Sequence, residues 1–313
     1  MDNICHTLVG AALAESGLKR RTPLATATLL LGANLPDVDV LSYFWGTDAA
    51  IAFRRGWTHG VLALALWPFL LTGLMLAWDR WVRRRPEAPA RAGALFWLSV
   101  VSILSHPFLD WLNTYGMRWL MPFRDVWFYA DTLFIIDVWI WLILTVGVVW
   151  SRLRARRGRP DRERPARVAL AAAGVYILLM AGSQLAARAV VRDGFGGSGP
   201  LMAGPLPVTL LRRQAVADLG TQYAMGTVDW LRRPPLAPQP PRLLPKGDAH
   251  PAVAAAAVTR EGRIFLHWAR FPYFRVDERP ESWVVRMGDA RYTINPATGF
   301  GSLTVTVPKE KTQ

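Results

Sequence analysis

The chain has 313 residues and a net charge of +14, from 37 Lys and Arg against 23 Asp and Glu. With 52% hydrophobic residues and only 19% charged, it has ample apolar surface to bury, which excludes disorder over its whole length. Cys5 is the single cysteine, so an intrachain disulfide scaffold is excluded as well.

In chain order, residues 3–18 and 22–35 are apolar but shorter than the ~20 residues that a spanning helix needs. Lys19-Arg20-Arg21 separates them, and Gly10, Ala11, Ala12, Ala14, Ala25, Ala27, Gly32 and Ala33 suit close helix contact. They are expected to form two short helices, either thin spans or a re-entrant hairpin. Met1-Asp2-Asn3 lacks a basic stretch and Glu15 interrupts the apolar run, so a cleavable signal peptide is not expected. Four longer apolar segments follow. Val61–Trp78 carries no charge, residues 92–105 run apolar up to His106, residues 132–150 are broken only by Asp137, and residues 168–187 are uncharged. Each is long enough to cross or nearly cross a hydrocarbon core of about 30 Å.

The basic residues gather between these runs. Arg80, Arg83, Arg84, Arg85 and Arg91 occupy one connection, and residues 152–167 hold eight Arg. A nucleic-acid reader would mix such residues with exposed aromatics or a recognition motif, so nucleic acid is not an expected partner. By the positive-inside rule both stretches are expected to be cytoplasmic, placing residues 111–131 and everything after residue 187 outside. Residues 193–205 read as a Gly- and Pro-rich linker. Beyond it, residues 212–219, 221–231, 263–270, 273–277, 283–287, 291–295 and 302–307 read as strands, with a Pro-rich break at 234–245. The expected fold is a membrane α-helical bundle of four spanning and two short N-terminal helices, followed by a small C-terminal antiparallel β domain. The expected division is 1–192 for the membrane domain, 193–205 for the linker and 206–313 for the β-rich domain.

Ionisable groups in or beside apolar segments are costly and usually paired or functional. His106 and Asp110 share one helix face at i and i+4, which suits a metal ion or a buried hydrogen-bonded pair. Pro36 is expected to end the second short helix, leaving an extended backbone that points Asp37 and Asp39 to one side. Two close carboxylates need a cation or proton between them. His59 precedes the first long helix, with Arg54 and Arg55 just before it as a charge anchor or a holder of an anionic group. His6 opens the first apolar segment. By the expected topology His59, His106, Asp110, Asp131 and Asp137 all fall at one leaflet, with Asp37 and Asp39 nearby. Several His with several carboxylates suit zinc or manganese with a position left for water.

The order His6, Leu35-Pro36-Asp37-Val38-Asp39, Arg55-Gly56-Trp57-Thr58-His59 and Ser105-His106-x3-Asp110-Trp111-Leu112-Asn113-Thr114-Tyr115-Gly116 resembles the bacterial membrane-bound metal-dependent hydrolases. These YdjM-like proteins include a LexA-binding inner-membrane hydrolase, and residues 1–187 carry the resemblance. More distantly, His6, Asp37, His59, His106 and Asp110 are similar in order to the zinc-dependent phospholipase C and nuclease fold. The chain departs from that fold in lacking a later His pair, for which His250 and His267 are poor substitutes. One or two metals are therefore expected rather than three.

The resemblance implies a membrane-bound, metal-dependent hydrolase of the bacterial inner membrane. His6, Asp37, His59, His106 and Asp110 would be its ligands, with zinc expected and manganese as the alternative. Asp39 would be a ligand or general base, Arg55 a phosphate holder, and Asn113 and Asp137 would orient ligands. The expected partners are membrane lipid and a small-molecule or lipid phosphoester, cleaved by activated water rather than through a covalent intermediate. The alternative is a non-catalytic membrane protein held together by a structural metal or buried ion pairs.

Overall fold

The computed structural model describes residues 1–85, 87–292 and 300–309. The chain divides into two compact units. The first comprises residues 1–41, 53–183 and 207–210, and the second comprises residues 42–52, 184–206 and 211–313.

In the first unit, α1 (Asn3–Glu15) starts where the Asp2 carboxylate accepts from the backbone N–H groups of Ile4 and Cys5. A short 3₁₀ turn at Leu18–Arg20 leads to α2 (Ala25–Gly32). The small residues let these helices meet: a Cβ on Gly10 would lie 2.7 Å from the Leu29 carbonyl oxygen, and one on Gly32 would lie 2.1 Å from Ser102 Oγ. A 3₁₀ segment, Leu35–Trp45, then carries both Asp37 and Asp39. The extended backbone expected there is thus corrected. With about three residues per turn, side chains two apart diverge by roughly 120° instead of sharing one side.

α3 (Thr47–Phe53) opens in the second unit. α4 (Val61–Trp78, prolonged by a π turn to Arg83), α5 (Ala92–Trp111) and α6 (Val138–Arg156) in the first unit, and α7 (Arg164–Phe195), whose residues from 184 on belong to the second, are four helices long and apolar enough to cross a membrane. Their outer faces carry large apolar side chains, such as Leu66, Phe69, Leu70 and Leu74 on α4, which a soluble helix would bury. The core instead joins Cys5, Ala12, Leu109, Leu112, Ile140 and Leu144, from α1, α5, α6 and the turn after α5.

In the second unit, β1 (Leu201–Pro205), β2 (Arg212–Asp218), β3 (Gln222–Asp229) and β4 (Leu236–Pro245) form an antiparallel meander in that spatial order. Ala215 and Ala217 of β2 face Ala187 and Val191 of α7, while Val216 faces Phe271, so both faces of the sheet are covered. A second antiparallel sheet has the order β5 (Pro272–Glu278), β6 (Ser282–Asp289), β7 (Ser302–Pro308).

Four expectations for the tail are corrected. Residues 193–205 contain the end of α7 and strand β1. The Pro-rich break at 234–245 is largely strand β4, and it sits at a sheet edge, where missing N–H groups are tolerated. Residues 263–270 are mostly helix, α9 (Arg260–Trp268), which follows α8 (Pro251–Ala257) and is capped by Thr259. Gly262, Phe265 and Trp268 recur at a spacing of three and are buried together, which a strand would not allow. Of the strand expected at 291–295, Ala290–Tyr292 is a 3₁₀ turn and residues 293–295 lie outside the described residues.

Candidate metal centre

Three pieces of the first unit converge. The last two turns of α5 supply His106 and Asp110, the 3₁₀ segment supplies Asp37, and the turn before α4 supplies His59. One ligand atom from each of these four residues lies within 4.8 Å of all the others, and all four are buried.

The nitrogen geometry is specific. His106 Nδ1 lies 2.7 Å from the carbonyl oxygen of Ala33, which can only accept, so Nδ1 carries the proton and Nε2 presents a lone pair. The Thr58 hydroxyl donates to Asp39 Oδ2 at 3.3 Å and so accepts from His59 Nδ1, 2.9 Å away. That again leaves Nε2 as the lone-pair nitrogen. The two Nε2 atoms stand 3.2 Å apart. Around them, His59 Nε2 is 3.4 Å from Asp110 Oδ2 and 3.9 Å from Asp37 Oδ1. His106 Nε2 is 3.6 Å and 3.7 Å from the same two atoms. Tetrahedral zinc with ligands at about 2.0–2.1 Å separates its donors by about 3.3 Å, so this set fits such an ion. Two lone pairs and two carboxylates turned inward are mutually repulsive without a cation. Asp110 Oδ2 is buried without a hydrogen-bond partner, which supports the fit.

His6 stands beside the four rather than among them. Its ring stacks on that of His106 with centroids 3.7 Å apart, and its Nε2 lies 3.3 Å from Asp110 Oδ1. The backbone nitrogen of Met1 also contacts Asp110 Oδ1. Burial above all pushes the His6 pKa down to about 3. Burial lowers His59 as well. Both imidazoles are thus held neutral, the ligating form.

Asp39 lies behind His59. Its Oδ2 accepts from the backbone N–H of Arg55 at 2.8 Å and lies 3.4 Å from His59 Nδ1. This is the position of a carboxylate that orients a ligating imidazole. Arg55 is buried, donating to Asn113 Oδ1 at 2.9 Å and to Asp110 Oδ1 at 3.1 Å. Asn113 Oδ1 also accepts from the backbone N–H of Tyr115 at 2.9 Å, so Asn113 braces Arg55. The expectation that Asp137 orients a ligand is corrected. Its carboxylate caps α6 through Trp139 and Ile140, both at 3.1 Å, and accepts from the Tyr176 hydroxyl at 2.9 Å.

Several contributors had no clear sequence signal. The Ala33 carbonyl and Thr58 fix the two tautomers. Arg118 donates to the carbonyl oxygens of Arg54 and Arg55, at 2.8 Å each, and so holds the turn. A Cβ on Gly56 would lie 2.6 Å from the Arg118 guanidinium, so only glycine allows this approach. Arg54 is a quarter exposed and lies 3.7 Å from both Asp37 and Asp39, on the solvent side of the cluster.

The bundle and its buried Asp/His/His/Asp group define a helical membrane protein with a place for a metal ion. The family model for the YdjM inner membrane protein matches residues 1–187, and the chain belongs to that family of inner membrane proteins. It is also similar to the uncharacterized protein YfhP of Bacillus subtilis (strain 168), with 24% identity over 139 residues. That match covers 41% of this chain and 39% of the relative, so the chain spans about two fifths of the curated relative it matches. No solved structure matches.

Proposed function

We propose that the protein is a multi-pass, metal-dependent hydrolase of the bacterial inner membrane, acting on a phosphoester of a lipid or lipid-like small molecule. The observation that carries this reading is the pair of Nε2 lone pairs 3.2 Å apart, closed in by Asp37 and Asp110. Zinc suits two imidazoles and two carboxylates, with manganese the alternative. Such an ion supplies Lewis-acid polarisation of a phosphoryl or acyl oxygen and activation of water near neutral pH. Around it, His59 is oriented by Thr58 and Asp39, and His106 by the Ala33 carbonyl. Arg55 balances the charge of Asp110, and Arg54 meets an anionic group arriving from the solvent side. Cys5 is a poor nucleophile, because it is fully buried in the core of the first unit and burial pushes its thiol up to about 12. The basic connections support a site at the outer leaflet and a C-terminal domain outside the cytoplasm.

The second reading, a structural metal in a non-catalytic protein, has its own support: four buried protein donors would fill all the positions of a tetrahedral ion. One experiment separates them. The purified protein is assayed for metal by elemental analysis and for turnover on a panel of phosphoesters, before and after chelation. His106→Ala and Asp110→Ala are expected to lose both metal and turnover, while His267→Ala in α9 keeps both. Metal without turnover on any phosphoester or ester supports the structural reading. Full metal content in the His106 and Asp110 variants overturns the site.

A further inference from the structure

An apolar groove of about 600 Å³ runs between α6 and α7 at the end of the bundle away from the metal centre. Leu142, Val146 and Trp150 of α6 and Val168 and Ala172 of α7 line it. Gly147 and Ala169 set its floor, since a Cβ on Gly147 would lie 2.2 Å from that of Ala169. The polar end is made by Arg154, Asp161 and Arg164.

Three features point to one occupant. From Leu142 to Arg154 the helix rises about 18 Å, close to the ~15 Å of a single leaflet of the hydrocarbon core. The groove thus matches one acyl region with its charged end at the interface. Residues 152–167 hold eight Arg against Asp161 and Glu163, a net charge of +6. Asp161 is committed to Arg154 and Glu163 to Arg167, whereas Arg157 and Arg164 make no ion pair among the described residues. A surplus of guanidinium groups above an apolar slot complements a phosphodiester carrying acyl chains, and a zwitterionic headgroup would neutralise less of it.

We infer that this groove is a binding site for an anionic phospholipid, held by its acyl chain along α6 and α7 and by its phosphate at Arg164, with Arg157 supplied from the adjoining hollow that shares Trp150 and Arg154. It lies at the opposite end of α6 from Asp137 and does not depend on the hydrolase reading.

The test uses the full chain, reconstituted with equal amounts of phosphatidylglycerol and phosphatidylcholine and extracted in mild detergent, with retained lipid read by native mass spectrometry. Wild type is expected to retain phosphatidylglycerol in roughly tenfold excess or more. Arg157→Gln with Arg164→Gln brings the two lipids near parity, and Ala172→Trp, which fills the groove, removes retained lipid. Val146→Trp reports the same loss should the Ala172 variant fail to fold by circular dichroism. Arg80→Gln with Arg85→Gln, in the other basic connection, leaves the preference unchanged. Equal retention of both lipids by wild type, full retention in the groove-filling variants, or equal loss in the Arg80 and Arg85 variant would overturn the site.

Discussion

A ligating imidazole is only as good as the hydrogen bond on its other nitrogen, and here the two imidazoles are fixed by different means. His106 leans on a backbone carbonyl that mutation of Ala33 cannot remove, whereas His59 relies on Thr58 and, behind it, Asp39. The two are therefore unequally vulnerable. Thr58→Val keeps the volume but removes the hydroxyl, and Asp39→Asn removes the negative charge beside Nδ1. Each is expected to weaken metal binding about 10–100-fold, the usual cost of losing such a partner, measured by competition with a chelator of known affinity. Unchanged affinity in both variants would show that His59 is not a ligand. The sequence made His106 and Asp110 readable together because one helical turn separates them. It did not reveal the Ala33 carbonyl, since every residue has one and only the packing of α2 against α5 brings this one to His106.

At the scale of elements, one carboxylate changes its meaning with a shift of a few residues. Asp137 interrupts the apolar run 132–150 in the sequence, but α6 begins only at Val138, so this acid is the cap of the helix and not a charge inside it. Asp137→Ala is expected to cost about 1 kcal/mol, in line with other lost caps, while the metal content stays at the wild-type level. Thermal unfolding in detergent with elemental analysis of the same sample reads both. Loss of metal would return Asp137 to the group that orients a ligand. The same contrast explains what was legible elsewhere. The long spans follow from uncharged length alone, and most tail strands follow from their composition. The helix α9 and the strand β4 were missed because short segments obey their surroundings: Thr259 supplies a cap, and a sheet edge accepts prolines that an inner strand would not. Asp37 and Asp39 part company because their segment coils as a 3₁₀ helix, which sends one carboxylate to the candidate metal cluster and the other behind His59.

For the whole molecule, the position of the donors on the four long helices gives the topology a chemical consequence. His59 lies just before α4, and His106 and Asp110 lie in the last two turns of α5, so both helices meet the cluster at the same end. The connection after α4 and the one between α6 and α7 carry the basic residues at the other end. Lys and Arg in short connections favour the cytoplasmic side, so the cluster is expected at the outer leaflet, in reach of lipid headgroups there. By the same rule α7 is expected to run outward, with the residues after it outside the cytoplasm. Reporter fusions at Gly158 and Thr312 are expected to give opposite compartments, with Gly158 cytoplasmic. If both report one compartment, α7 does not cross. If the two are reversed, the metal centre opens to the cytoplasm, and the substrates to test become those of the inner leaflet, because the helices that carry the donors fix their depth but only the basic connections fix their side.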